Sequence, residues 1–219
     1  MLHFDALHLG IALGPLDVYL LLVGMINLSK RPFLTTGARD VAAIGVAISG
    51  FIVAGPMELF LPQAAADRFG PFVWLLLLAF YGLCLTLLVL MLRPRLVIYN
   101  ANPEHLRSLL SEMVSEMGAE ARWAGDSLIV PQLGVQLHLE PFAAMRGVQL
   151  VAAGPRQSYT GWRRFELALT KKLKATKAAR NPQGYVMVAI GALLIGAITY
   201  ATMSDPTTVV QGLDDLLRR

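Results

Sequence analysis

The sequence predicts an α-helical polytopic membrane protein with four transmembrane helices and a small α+β cytoplasmic domain inserted between spans three and four. Two observations predict this class. The 219-residue chain is 55% hydrophobic and 16% charged, which is more apolar than a soluble domain of this length needs for one core. Its apolar residues also fall into four blocks, at 6–29, 41–62, 71–92 and 184–203. Each block has the roughly 20 helical residues that cross a bilayer.

Cysteine content and the N-terminus narrow the class further. The single cysteine, Cys84, lies inside the third apolar block, which excludes a disulfide framework and a thiolate metal cluster. The first block is longer than the apolar core of a signal peptide and does not end in a small-x-small cleavage site. We therefore expect it to be a retained span.

The charges predict how the spans are oriented. The loop at 28–40 carries Lys30, Arg31 and Arg39, whereas the N-terminal arm before the first span has no Lys or Arg. Most of the 19 Lys and Arg residues lie in the hydrophilic stretch at 93–183. Because positive loops stay inside, we expect both to be cytoplasmic. This places both termini, including the tail at 204–219, on the outer side of a cytoplasmic (inner) membrane.

The stretch at 93–158 predicts a domain with the order β-α-β-β-β-β, separate from the three-span membrane region at 1–92. Asn102, Pro103 and Glu104 supply a cap, a first-turn proline and an acid, so a helix should run over 103–117. A turn at Gly125 and Asp126 joins two β-rich runs, and alternation over 135–140 predicts a half-buried strand. With about 60 residues, this domain is near the lower limit for an independent core.

A basic amphipathic helix is predicted at 159–180. Its apolar stripe contains Trp162, Phe165, Leu169 and Leu173, and its basic residues are Arg163, Arg164, Lys171, Lys172, Lys174, Lys177 and Arg180. We expect the basic face to dock on anionic headgroups, with Trp162 and Phe165 inserting at the headgroup boundary. Two alternatives remain open: the charges only set topology, or the stripe packs on the α+β domain. Nucleic acid is a disfavoured partner, because no recognition motif accompanies the charges.

Two carboxyl groups lie within predicted spans, Asp17 in the first and Glu58 in the second. The heptapeptides around them, 14–20 and 55–61, are similar at an offset of 41 residues. An inverted repeat of this kind occurs around transporter sites, although Gly, Pro and Leu are common enough in spans for chance similarity. The functional interpretation makes both acids proton or cation carriers. The structural one makes Asp17 a hydrogen-bonded contact residue and Glu58 an interfacial acid.

No catalytic, cofactor or metal signature of high specificity occurs in the sequence. His3, Asp5 and His8 would not share one face of a helix, so we predict no metal site, and no cofactor is implied. The leading hypothesis is a non-enzymatic multipass subunit or scaffold that presents a cytoplasmic binding domain. Stripes of small residues on the spans predict a homo-oligomer or a subunit of a membrane complex. The alternative is a small cation or proton transporter or channel component that uses Asp17 and Glu58.

Overall fold

The computed structural model describes residues 6–57, 70, 72–142, 147–155, 157–204, 206 and 210. The chain divides into two compact units. The first, here the helical unit, comprises Met1–Leu22, Val41–Met91 and Met187–Arg219. The second, here the sheet unit, comprises Val23–Asp40 and Leu92–Val186.

The described residues form four long apolar helices, one in each of the four predicted apolar blocks. Each is long and apolar enough to cross a membrane. In the third helix, only 6% of the most apolar stretch of 18 residues is buried. Soluble monomers rarely expose apolar surface on this scale, so a lipid environment suits these helices. They are α1 (Ala6–Leu28), α2 (Gly37–Ile52, followed by a π-helical turn at Val53–Met57), α3 (Phe72–Met91) and α6 (Gln183–Ser204).

Close contacts hold α1, α2 and α3 together within the helical unit. A Cβ atom at Gly50 of α2 would lie 2.1 Å from the carbonyl oxygen of Ile11, which Pro15 leaves without its usual helical donor. The Tyr81 hydroxyl of α3 donates to the carbonyl oxygen of Gly45 at 2.7 Å. Gly45 and Gly50 of α2 therefore face neighbouring helices, as small residues in membrane helices commonly do.

The described residues of the sheet unit include an antiparallel sheet of six strands, two complete α-helices and a short 3₁₀ helix at Pro131–Leu133. The strand order is β1-β2-β6-β5-β4-β3. Helices α4 (Pro103–Glu116) and α5 (Tyr159–Ala175) share one core with the sheet, built on buried residues such as Ile98, Leu110 and Leu137. The strands are β1 (Phe33–Thr36), β2 (Arg95–Tyr99), β3 (Arg122–Ala124), β4 (Ser127–Val130), β5 (Val135–Phe142) and β6 (Gly147–Ala152).

Local signals placed α4 correctly. The Asn102 side chain accepts a hydrogen bond from the backbone N–H of Glu104 at 3.0 Å, as the predicted cap requires. Beyond the last turn, Gly118 has a φ of +69°, a conformation that glycine adopts without steric cost. The helix predicted over 103–117 is thereby confirmed to within one residue.

The edge strand β1 differs from the sequence prediction, which has no strand within the membrane region at 1–92. It lies between the first two apolar helices. It pairs antiparallel with β2, with Phe33 opposite Tyr99 and Thr36 opposite Leu96. Four residues are too few to show periodicity, so only the pairing partner, 60 to 66 positions away, defines this strand.

Side-chain contacts connect the start of α2 to the same sheet. The Tyr99 hydroxyl donates to a carboxylate oxygen of Asp40 at 2.5 Å, and both side chains are buried. The Arg95 side chain covers Gly37, where a Cβ atom would be only 2.0 Å from Arg95 Cγ. The loop between α1 and α2 is therefore an integral part of the sheet unit.

The apolar stripe of α5 faces protein. Trp162 is 6% exposed and Phe165 is 0% exposed, and Leu169 and Leu173 belong to the same core. This burial leaves no surface for insertion at the headgroups, so that part of the membrane-docking interpretation is wrong for this fold. The helix also ends at Ala175 rather than at 180, because Thr176 is extended with φ −88° and ψ 136°.

Two truncations in α5 distinguish packing on the sheet from packing on lipid. Phe165→Ala should destabilise the chain by about 3–5 kcal/mol, since it opens a cavity in a closed core. Leu167→Ala on the same helix should change stability by less than about 0.5 kcal/mol, because Leu167 is 64% exposed. Thermal unfolding in mild detergent, followed by tryptophan fluorescence, measures both. Equal effects of the two substitutions would contradict the packing described here.

Candidate functional site

The segment that follows α5 runs beside the end of α1. The backbone N–H of Asn181 donates to the carbonyl oxygen of Asn27 at 3.0 Å, and its side-chain amide donates to Asn27 Oδ1 at 3.2 Å. The Asn27 amide in turn donates to the carbonyl oxygen of Val23 at 3.0 Å. Both asparagines are buried. We call this pair the asparagine clamp.

The asparagine clamp also starts the last apolar helix. Asn181 Oδ1 accepts from the backbone N–H of Gln183 at 3.2 Å, where α6 begins. The hydrogen-bonded amides of the two buried asparagines fix how the two segments meet, because a buried amide that loses a hydrogen bond costs about 1–3 kcal/mol. Sequence reasoning missed both asparagines, although an Asn two residues before the end of an apolar block is a signal that could have been followed.

A cluster of basic residues lies beside the asparagine clamp. The backbone N–H of Ala178 donates to the carbonyl oxygen of Lys30 at 2.8 Å, which aligns the two segments. The cluster, which we call the basic collar, consists of Lys30, Arg31, Lys177 and Arg180, all exposed. Within the described part of the chain, none of the four forms an ion pair. The collar therefore presents uncompensated positive charge where one apolar helix ends and another begins.

The basic face of α5 is only partly available. Arg163, Arg164, Lys171 and Lys174 are exposed. Lys172 instead contacts carboxylate oxygens of α4, at 2.9 Å from Glu112 and 2.5 Å from Glu116. Hydrogen bonds to Glu116 and then to Glu112 raise the pKa of Lys172 above its usual value. Lys172 thus joins two helices, and its half-buried ammonium group is less available to a lipid surface than the exposed basic residues of α5.

Asp17 lies in a tight contact within the helical unit. It is 2% exposed, and its Oδ1 atom has no hydrogen-bond partner among the described residues. A Cβ atom at Gly191 of α6 would lie 3.0 Å from this oxygen and 2.7 Å from Leu21 Cδ2. The fourth span, which the sequence did not connect with Asp17, therefore contacts this carboxyl group.

Three further sequence candidates, Glu58, His3 and Asp5, lie outside the described residues. His138 Nδ1 is 3.1 Å from the Ser127 hydroxyl oxygen on adjacent strands, a cross-strand polar pair without a neighbouring acid in hydrogen-bond contact among the described residues. Cys84 is exposed on α3.

The observed architecture defines the class of protein: four helices able to cross a membrane, together with a separate antiparallel sheet unit. Comparison of the chain with known protein families, curated proteins and solved structures finds no match.

The Asp17 contact predicts different outcomes for two glycines. Gly191→Val should destabilise the helical unit by about 1–3 kcal/mol, because its side chain would overlap Leu21 and the Asp17 carboxyl group. Gly82→Val on α3 is the matched control, since no atom of another described element lies within 4 Å of a Cβ there. Thermal aggregation in mild detergent ranks the two variants. A Gly191→Val chain as stable as the Gly82→Val chain would show that α1 and α6 do not approach this closely.

Proposed function

We propose that the chain is a non-enzymatic multipass subunit or scaffold of the cytoplasmic membrane that presents its sheet unit as a cytoplasmic binding domain. One observation carries the proposal: the strand between the first two apolar helices, β1, is part of the sheet. The asparagine clamp adds a second connection, at the end of α1 and the start of α6. A domain that is joined to the ends of the apolar helices at several places suits a scaffold better than a domain on one flexible linker would.

The proposed topology has both termini outside and residues 93–183 in the cytoplasm. The shared sheet supports it, because the loop that contains β1 and the stretch that contains β2–β6 must then lie on the same side of a membrane. The exposed positive residues Lys30, Arg31 and Arg39 in that loop support the inner side.

Anionic lipid headgroups are the proposed partners of the remaining basic surface. Each basic residue near such a surface contributes about 1 kcal/mol at physiological salt. The basic collar and the exposed positions of α5 supply Lys30, Arg31, Arg163, Arg164, Lys171, Lys174, Lys177 and Arg180. Electrostatic attraction, without aromatic insertion, is the contribution that this fold can make.

Self-association or assembly with another membrane protein is the direct test of the scaffold proposal. Helix α6 carries a face of small exposed residues, Ala189, Ala192, Gly196 and Thr199, suited to close helix contact. In gentle detergent, light scattering should give a protein mass above the 23.8 kDa monomer, or affinity purification should recover a stoichiometric membrane partner.

Gly196→Val should weaken that association at least fivefold, since the valine would separate the helices, whereas Gly82→Val should not. Among the described residues, and apart from the backbone of its own helix, neither glycine has an atom within 4 Å of a Cβ, so neither change should disturb that part of the fold. A strictly monomeric chain that recovers no partner would remove the basis of the proposal.

A second candidate function, proton or cation transport, follows from Asp17. A buried carboxyl oxygen without a hydrogen bond in a membrane helix is costly, and such residues commonly mark ion pathways. Asp17→Asn should then abolish pH-dependent flux in proteoliposomes while the variant still elutes as a folded species. Absence of flux from the unmodified chain across protons, Na⁺ and K⁺ would contradict this function and leave Asp17 as a helix-contact residue.

A further inference from the structure

A cleft of about 290 Å³ lies entirely within the sheet unit. Three segments surround it: the turn that connects β2 to α4, the first turns of α4, and the chain just after α5. Pro32, from the loop after α1, contributes a fourth wall. The other residues that line the cleft are Asn100, Ala101, Asn102, His105, Leu106, Leu109, Leu173, Thr176, Lys177, Ala178 and Ala179.

The lining is divided between apolar and polar groups. Leu106, Leu109 and Leu173 are buried members of the domain core and provide apolar surface. Lys177 and His105, both exposed, provide nitrogen donors. None of the described residues that line the cleft is acidic, so no described carboxylate there compensates the charge of Lys177. Such a lining suits a ligand that combines an anionic group with an apolar part.

Asn100 makes one wall of the cleft a fixed polar surface. It is 4% exposed, and its amide donates to the carbonyl oxygen of Ser29 at 2.8 Å. Its φ of +56° is the only positive value among the described non-glycine residues. Asn tolerates this conformation better than most residues, and the turn it makes brings Asn102 and the start of α4 to the cleft. Unusual backbone held by buried contacts often occurs beside ligand sites.

The cleft is continuous with the basic collar. Lys177 belongs to both, Ala178 is hydrogen-bonded to Lys30, and Pro32 directly follows Arg31. Lys30 is two residues beyond the end of α1, and Arg180 is three residues before the start of α6. If α1 and α6 cross the bilayer, these chain positions meet the headgroup layer, where phosphate esters are the most abundant anions.

We propose that this cleft binds the headgroup of one anionic phospholipid molecule, with Lys177 and His105 contacting the phosphate and the leucines contacting the glycerol ester region. The inference rests on the proposed membrane placement, and it goes further by naming one saturable site in place of a diffuse electrostatic surface. A free phosphate ion shares the anionic chemistry but has no apolar part to use Leu106, Leu109 and Leu173.

Titration of the full chain in neutral detergent tests the site. The probes are dihexanoyl phosphatidylglycerol, dihexanoyl phosphatidylcholine and inorganic phosphate, and calorimetry measures affinity and stoichiometry. We expect the phosphatidylglycerol to saturate at one molecule per chain and to bind at least tenfold more tightly than either other probe. Equal affinity for inorganic phosphate would overturn the lipid assignment, and nonsaturating binding would overturn the site.

Two variants with the same charge change locate the binding. Lys177→Ala should weaken phosphatidylglycerol binding about fivefold, and His105→Ala should weaken it further in combination. Arg122→Ala removes an exposed positive charge on β3 that neither lines the cleft nor belongs to the proposed lipid surface, and should change affinity less than twofold. Equal effects of Lys177→Ala and Arg122→Ala, or no effect of either, would overturn the cleft as the site.

Failure of this inference is distinguishable from failure of the proposed function. Resistance of the chain to alkaline extraction from cell membranes tests the membrane placement without reference to the cleft. A chain that resists extraction and assembles, but whose Lys177→Ala variant binds phosphatidylglycerol normally, would overturn only the headgroup site. A chain released by extraction would overturn both.

Discussion

The pairing of β1 with β2 is the interaction on which the rest of the structure depends. It joins a four-residue segment between two apolar helices to a strand 60 to 66 positions later. Because α1 ends at Leu28 and α2 begins at Gly37, both helix ends are held near the edge of the sheet. Backbone groups that an unstructured loop would expose are therefore paired with β2 in an ordered strand.

Buried polar contacts reinforce this arrangement at two further places. Asp40 accepts from the Tyr99 hydroxyl, and Asn27 accepts from Asn181. Separation of either pair would break a buried hydrogen bond, at a cost of about 1–3 kcal/mol each. These bonds add specificity to the hydrophobic core, since they fix which residues meet at the ends of α1, α2 and α6.

Much of the fold could be predicted from local signals. The cap at Asn102, the glycine at 118 and the turn at Gly125 depend on nearby residues only, and the four apolar blocks depend on composition. The sequence could not reveal β1, because its periodicity is too short, or the clamp, because it joins residues 154 positions apart. The apolar stripe of α5 is ambiguous for a different reason, because an apolar helix face packs equally well on lipid or on a sheet. Only the folded sheet, which offers an apolar face to α5, decides between the two. The basic collar likewise depends on a contact between distant segments.

Hydrogen exchange of the full chain in lipid nanodiscs tests the central claim most directly. In an antiparallel pair, alternate amides of an edge strand bond to its neighbour, so about half of the amides in Phe33–Thr36 should exchange at least a hundredfold more slowly than in an unstructured peptide. Protection should extend across β2 at Arg95–Tyr99. Exchange of all amides in Phe33–Thr36 at unstructured rates, while β2 remains protected, would contradict the joining of this loop to the sheet.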